Sequence, residues 1–303
     1  MDLCYNICVK IILSIKNYFG KNVAFVTDDF KIFLLAEILE ITKQNQIEGV
    51  YLVNKNSGPY LRSKKNVPKN LQLDNISIGS DDIFSFVDLK ISGSTPILSR
   101  YTALYNKSSS EGDFPIIKPV GNNLYASTAI VKEKLLLVKE VIYESATHFN
   151  LDPFQLGAIL IDEIARLTPF EEIIDRIGVE NFGVNISVGL AQIKIDIANS
   201  IIKKKLYNPN PSDQKLPIKR LNRETKAHLY NYLIQPKHNI FFEGAILTDL
   251  INNWKEFIDL KSHFDIFASL YSLSRIPHEE PHPNSRGIQI ANEFYNLAKT
   301  WLQ

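Results

Sequence analysis

The chain has 303 residues, of which 45% are hydrophobic and 22% are charged. A chain of this length normally folds as two domains, and its composition supplies enough apolar material for packed cores and too little charge for wholesale disorder. The 34 basic and 33 acidic side chains nearly cancel, so no global field favours nucleic acid or an anionic membrane surface. We therefore predict a two-domain globular protein that does not bind nucleic acid.

The beginning of the chain predicts neither a disulfide framework nor a targeting segment. Cys4 and Cys8 are the only cysteines, and a bridge between them would close only a very small loop. Lys10 and Lys16 interrupt the apolar runs, and no run approaches the roughly 20 residues that a membrane-spanning helix needs. We expect a protein that is made soluble without a Sec signal, has no membrane span, and stays cytoplasmic unless a dedicated route exports it.

The first 80 residues predict a small α/β module. The patterns VKIILSIKN from Val9 and NVAFVTDDF at 22–30 indicate two strands, and apolar residues from Phe33 to Ile41 follow the spacing of one helix face. EGVYLVNKNSGPYLRS then indicates a further strand with an Asn-Ser-Gly-Pro turn. Through GPYLRS and the later LDNI, this module resembles a small bacterial domain family of unassigned function, which implies no activity.

Residues 81–127 predict a connector with some strand content, because Gly, Ser, Asp and Pro are frequent there and only short pieces such as FSFVDLKI and IIKPV read as strands. From residue 128 to 303 the apolar residues recur at helical spacing, first in AIVKEKLLLVKEVIYESATHFN and then in PFQLGAILIDEIARL. We predict an all-α domain of about seven helices for this part.

A carboxylate lies near the end of one strongly apolar helix. Asp152 is suited to cap this helix, Pro153 fits its first position, and Glu163 follows an almost continuous apolar run. Burial raises the pKa of a carboxyl group, which a general acid working near neutral pH requires. The alternative is a structural salt bridge between Glu163 and Arg166 or another base. Asp162 should point about 100° away from Glu163, so the two carboxylates are not expected to act together.

Three later segments accompany this helix in a recognisable order. NISVGLAQIKIDIA contains Ser187, Gly189 and Gln192, and a glycine there permits close backbone approach to a sugar while the glutamine offers a donor and an acceptor. Read alone, the segment is also an ordinary helix N-terminus beginning at Ser187. QPKHNIFFEGAILTDLI indicates close helix packing through its Gly-Ala step, and ASLYSLSR supplies Tyr271.

These four segments together resemble the lysozyme-like domain of soluble lytic transglycosylases. The resemblance implies an α+β protein in which a small N-terminal α/β module precedes an all-α lysozyme-like domain. It implies Glu163 as the catalytic acid, with Ser187, Gly189, Gln192 and Tyr271 as substrate-binding residues. The implied activity is cleavage of the β-1,4 bond between N-acetylmuramic acid and N-acetylglucosamine in peptidoglycan glycan strands, with no cofactor and no metal. The N-terminal module would then bind a protein of the delivery apparatus.

Some positions depart from the pattern of the family. Ile164 stands where the family usually has Ser, Ala191 where it has Met, and Ser272 and Ser274 where it has Asn and Gly. These departures favour an alternative, a catalytically inactive lysozyme-like glycan-binding or scaffold protein of a phage or secretion apparatus. A third reading is an intracellular regulatory protein that acts through its first domain.

Two further segments carry polar clusters. The insert TPFEEIIDRIGVENFGVN predicts a short extra helix with acidic residues that could supply a second carboxylate, although solvated surface charge is the commoner fate; they are Glu171, Glu172 and Asp175. RIPHEEPHPNSRG contains four residues that could hold a metal ion, namely His278, Glu279, Glu280 and His282, but its three prolines favour a loop that lines the cleft. Asn284 and Arg286 in that segment could contact the hydroxyls or carboxylates of a substrate.

Overall fold

A computed structural model describes residues 8–17, 19–55, 58–79, 96–108, 117, 126–167, 173, 177, 187–272 and 282–303. Contacts divide the chain into two compact units, the first comprising residues 1–112, 119–124 and 168–177, and the second residues 113–118, 125–167 and 178–303. The first unit contains a sheet and the second is mainly helical, so the protein is of the α+β class.

The sheet of the first unit is centred on its first strand. Strand β1 (Val9–Lys16) pairs antiparallel with β2 (Asn22–Thr27), which pairs antiparallel with β3 (Ile32–Leu34). The short strands β4 (Ile47–Glu48) and β7 (Ser77–Gly79) both run parallel to β1 and pair with its beginning and its end. The two predicted strands beginning near Val9 and Asn22 are confirmed.

Helix α1 (Leu35–Lys43) and a hairpin complete this module. The hairpin joins β5 (Val50–Lys55) to β6 (Gly58–Ser63), so the sequence that indicated one further strand and a turn forms two antiparallel strands. The core of the module lies between the helix and the strands, where apolar side chains are buried together; they include Phe25, Ile38, Leu39, Ile47, Val50 and Leu61.

Helix α2 (Pro96–Ser108) lies in the segment for which the sequence predicted a connector with strand content. Its Tyr101 ring meets the Phe30 ring edge to face, with centroids 5.9 Å apart. Its Arg100 donates a hydrogen bond from Nη1 to the carbonyl of Asn70 at 3.2 Å. These long-range contacts, which local composition does not reveal, make this helix part of the first unit. Most of the strand-like pieces FSFVDLKI and IIKPV lies outside the described residues.

The described part of the second unit contains nine α-helical segments around one core. They are α3 (Thr128–Leu137), α4 (Lys139–Phe149), α5 (Pro153–Arg166), α6 (Ile195–Lys203), α7 (Arg223–Leu233), α8 (Pro236–Trp254), α9 (Phe264–Ser272), α10 (Ser285–Gln289) and α11 (Tyr295–Leu302). A π-helical turn, Ile290–Phe294, joins the last two. The predicted helical character is confirmed, although one predicted helix divides at Val138.

A short hairpin interrupts this helical unit. Strands β8 (Ser187–Val188) and β9 (Ile193–Lys194) pair antiparallel, and α6 begins directly after them at Ile195. The expectation of a strictly all-α domain is therefore wrong in this segment, as is the alternative of a helix beginning at Ser187. Within the described residues, none of the helices combines the length and the apolar character that a membrane crossing requires.

Candidate functional site

Helix α5 places Glu163 near its C-terminal end. Its N-terminus is fixed as the sequence predicts, because Asp152 accepts a hydrogen bond from the backbone N–H of Phe154 at 2.8 Å and Pro153 occupies the first turn. The other oxygen of Asp152 accepts a hydrogen bond from the hydroxyl of Tyr295 at 2.8 Å, which ties this end of the helix to α11. Most of the helix is buried, while the side chain of Glu163 is 14% exposed to solvent.

Glu163 and its neighbour Asp162 bind the same guanidinium group. Arg286 donates from Nη2 to Glu163 Oε1 at 2.8 Å and from Nε to Asp162 Oδ2 at 2.6 Å. Arg166 binds the other oxygen of Asp162, with Nε 3.0 Å from Oδ1. The alternative of an ion pair is thus present, but its base is Arg286 rather than Arg166. The two carboxylates share one cation, because the planar guanidinium offers donors to both at once. That they do not act as a catalytic pair stays a prediction.

Two features of the chain bring Arg286 to this position. Asn284 caps α10 by accepting a hydrogen bond from the N–H of Gly287 at 2.7 Å, and its own N–H donates to Ser269 Oγ at 2.9 Å. A side chain at Gly287 would collide with Ser269 and with the backbone of Asp265, so glycine lets α10 lie directly against α9. Asn284 and Arg286 therefore have roles inside the protein, where the sequence suggested contacts to substrate.

The neighbouring charges keep Arg286 ionised. Burial disfavours the charged guanidinium and lowers its pKa, but the carboxylates of Glu163 and Asp162 outweigh burial, and the net effect raises the pKa of Arg286. The cation in turn favours the ionised form of a carboxyl group that it contacts. The site as it stands therefore stabilises a carboxylate at Glu163.

A third carboxyl group, that of Glu243, is influenced by the charge of Glu163. Glu243 is on α8 and is fully buried, and neither of its two carboxyl oxygens has a hydrogen-bond partner among the residues that the structure describes. Burial raises the pKa of the Glu243 carboxyl well above its ordinary value, and the nearby charge of Glu163 raises it further. Burial therefore favours the protonated form of Glu243. The sequence analysis did not single it out, although an acid within the apolar run FFEGAIL was a signal that could have identified it.

Asn239 holds the hairpin loop, defined as residues 187–194, from inside the protein. Its side chain is buried, accepts a hydrogen bond from the N–H of Ala191 at 2.8 Å and donates one to the carbonyl of Val188 at 2.8 Å. Gly189 has a φ of 72°, and a Cβ there would lie 2.5 Å from Asn239 Nδ2. Contact with Asn239 thus requires a glycine here. The close approach of a sugar to Gly189 stays a prediction.

Gln192 and Tyr271 also bind the hairpin loop. The Gln192 side chain donates from Nε2 to the carbonyl of Gly189 at 2.9 Å, and its φ of 47° is left-handed. The hydroxyl of Tyr271 donates to the carbonyl of Ala191 at 3.1 Å. Ser187 pairs with Lys194 in the strands of the hairpin. In this structure Gln192 and Tyr271 therefore organise the loop, and Tyr271 also contributes to the electrostatic surroundings of Arg286.

The four sequence segments meet through these contacts. Asn239 and Tyr271 both bind the hairpin loop, and Tyr271 lies within the electrostatic reach of Arg286, which binds Glu163. The altered positions fit this arrangement: Ile164 and Ala191 are fully buried, and Ser272 accepts a hydrogen bond from Asn284 Nδ2 at 3.3 Å. The remaining candidates lie outside the described residues; they are Cys4, Glu171, Glu172, Asp175, Ser274, His278, Glu279 and Glu280.

The described residues include no group of three or more His, Cys, Asp or Glu side chains arranged to hold a metal ion. No family model and no curated protein matches the chain.

Proposed function

We propose that the second unit binds the glycan strands of peptidoglycan and cleaves the β-1,4 bond between N-acetylmuramic acid and N-acetylglucosamine, with Glu163 as its acid. The observation that carries the proposal is the position of Glu163. It is a partly exposed carboxyl group, 14% accessible, at the end of a buried helix. The convergence of the four segments that resemble lytic transglycosylases supports it.

The chemistry needs a single carboxyl group that changes its protonation state. Protonated Glu163 would give its proton to the glycosidic oxygen as the bond to the leaving sugar breaks. The resulting carboxylate would then take a proton from the 6-hydroxyl of the muramic acid, whose oxygen closes an anhydro ring. If water attacks instead, the same carboxylate accepts a proton from that water and the product is a reducing sugar. Arg286 opposes the first step, because it favours the carboxylate.

The test is cleavage of purified peptidoglycan by the full chain, followed by chromatography and mass spectrometry of the released muropeptides. The two products differ by the mass of one water, so the same measurement separates the lytic and hydrolytic routes. Glu163→Gln removes the acid and keeps its shape, and we expect release to fall by roughly 10²- to 10⁴-fold, the usual contribution of general acid catalysis. Glu144→Gln is the matched control, since Glu144 is an exposed glutamate that pairs with Lys237.

The ion pair itself favours a second candidate function, a lysozyme-like protein that binds glycan strands without cleaving them. A guanidinium 2.8 Å from a carboxyl group favours the ionised carboxylate, which has no proton to donate. If the wild-type chain sediments with peptidoglycan and releases no muropeptides, the protein is a binder and the cleavage proposal is rejected.

The two guanidinium groups offer a matched pair of variants. Arg286→Gln removes a cation from both Glu163 and Asp162, whereas Arg166→Gln removes one from Asp162 alone. If Glu163 is the acid, Arg286→Gln should extend cleavage to higher pH, because the carboxyl holds its proton more firmly without the cation. Arg166→Gln should leave the pH limit close to that of the wild type.

A further inference from the structure

Residues 203–226, here called the basic segment, concentrate positive charge in one part of the second unit. The segment contains eight Lys or Arg and two Asp or Glu residues, a formal charge of +6, although the whole chain carries +1. It begins at the last residue of α6 and ends within α7. Most of its cations are exposed; they are Lys203, Lys204, Lys205, Lys215, Lys219, Arg220 and Arg223. The balanced composition of the chain therefore conceals a local positive surface.

The acid in the middle of the basic segment, Asp213, is held by internal contacts. Its Oδ2 accepts a hydrogen bond from the hydroxyl of Tyr232 at 2.9 Å and lies 2.6 Å from His228 Nε2. Its Oδ1 accepts a hydrogen bond from the backbone N–H of Lys215 at 3.0 Å. The side chain of Asp213 is 11% exposed. This carboxylate is therefore occupied inside the protein, while the cations around it are exposed.

A buried side chain of α6 fixes the loop of the basic segment. Asn199 accepts a hydrogen bond from the N–H of Ile218 at 2.8 Å and donates one to its carbonyl at 2.9 Å. Lys203 lies one helical turn after Asn199, on the side of α6 to which Ile218 is bound. Lys219 and Arg220 follow Ile218 directly. These three cations therefore belong to one surface, and none of them forms an ion pair within the described part of the chain.

Helix α6 connects this surface to the candidate site. The helix begins at Ile195, directly after the hairpin loop, and ends at Lys203, so its nine residues span about 14 Å. The basic segment contributes none of the large exposed apolar side chains of the described residues. It therefore offers recognition by charge, without an apolar anchor for a lipid bilayer or an exposed ring for stacking on bases.

We propose that the basic segment binds the carboxylates of the stem peptides of peptidoglycan, so that the second unit prefers glycan strands that carry their peptides to bare strands. The identity of this ligand rests on the proposed function. Stem peptides are attached to the muramic acid residues of the strand, and their free carboxylates are anions close to the sugar chain. A single exposed ion pair contributes little, so the preference depends on several cations together and weakens as salt is added.

The experiment measures cosedimentation of the full chain with intact peptidoglycan and with peptidoglycan stripped of its stem peptides by an amidase. The test variant combines Lys203→Gln, Lys219→Gln and Arg220→Gln. The control variant combines Lys64→Gln, Lys65→Gln and Lys132→Gln, which remove three exposed cations elsewhere. We expect the wild type and the control to bind the intact form roughly tenfold more tightly, the factor that three exposed ion pairs together provide. The test variant should bind both forms equally, at the affinity of the wild type for stripped strands.

Equal binding of both forms by the wild type, or equal losses in the two variants, would overturn this inference and leave the proposed cleavage untouched. A wild type that prefers intact peptidoglycan through these cations and releases no muropeptides would support the inference and refute cleavage. A wild type that binds neither form would refute both. Duplex DNA and vesicles of anionic phospholipid are the competing ligands. If either binds the basic segment more tightly than intact peptidoglycan does, the assignment to stem peptides is rejected.

Discussion

The buried acid Glu243 should make the stability of the second unit depend on pH in an unusual direction. Its folded pKa lies well above the ordinary value of 4.5, so between those two values the folded protein keeps a proton that the unfolded chain releases. The stabilising contribution is complete below the ordinary pKa and is lost as pH rises towards the folded pKa. The contribution of Glu243 to the free energy of unfolding should then fall by about 1.4 kcal/mol for each pH unit across that window.

The perturbation is Glu243→Gln, which keeps the shape of the side chain and cannot titrate. The difference in free energy of unfolding between the wild type and the variant should change by about 1.4 kcal/mol between about pH 5 and pH 6, to the advantage of the variant at the higher pH. Glu243→Leu provides a second variant. Because neither carboxyl oxygen has a partner, we expect it to be more stable than the wild type near neutral pH by roughly 1 to 3 kcal/mol.

The assay is urea unfolding followed by tryptophan fluorescence. Both tryptophans of the chain, Trp254 and Trp301, belong to the second unit, so their emission reports its unfolding within the intact protein. Glu144→Gln, at an exposed position, should not change the pH slope. A wild type and a Glu243→Gln variant with equal slopes would refute the reasoning, because Glu243 would then be ionised in the folded state.

Three further substitutions test how the site is held, each by urea unfolding. Gly189→Ala should destabilise the protein more than Gly20→Ala when both are followed by circular dichroism, because both glycines have a φ of 72° but only the first would place a methyl group against Asn239; equal losses would contradict this. Gly287→Ala should reduce the free energy of unfolding by roughly 1 to 3 kcal/mol by separating α10 from α9, and an unchanged value would show that the helices adapt. Asp152→Ala should lower the free energy of unfolding by about 1 kcal/mol through the lost cap of α5. Tryptophan fluorescence would follow the unfolding, and an unchanged free energy would contradict the role of the cap.

The sequence predicted those features whose causes are local. The cap of α5 directly precedes the 14 helical residues that contain the proline and the apolar run, and the position of Glu163 follows from them. The strands beginning at Val9 and Asn22 likewise follow from the pattern of apolar residues within each strand. Such patterns can be recognised in a sequence because hydrophobic periodicity and helix capping depend on residues that are neighbours in the chain.

The features that were missed depend on residues far apart in the chain. The hairpin loop is fixed by Asn239, 48 residues beyond Ala191, so its sequence alone read as the start of a helix. Arg286 lies 123 residues beyond Glu163, and nothing in the spacing of either segment indicated that they meet. Helix α2 was read as a connector because its packing contacts come from the module before it.

The charges of Arg286, Glu163 and Asp162 bear directly on the choice between cleavage and binding alone. If Arg286 had Glu163 as its only anion, protonation of Glu163 would leave a buried cation without a partner. Asp162 prevents this, because it accepts a hydrogen bond from Arg286 Nε at 2.6 Å, independently of Glu163. Protonation of Glu163 therefore weakens one hydrogen bond while the cation remains paired, so the observed ion pair opposes the acid form without excluding it.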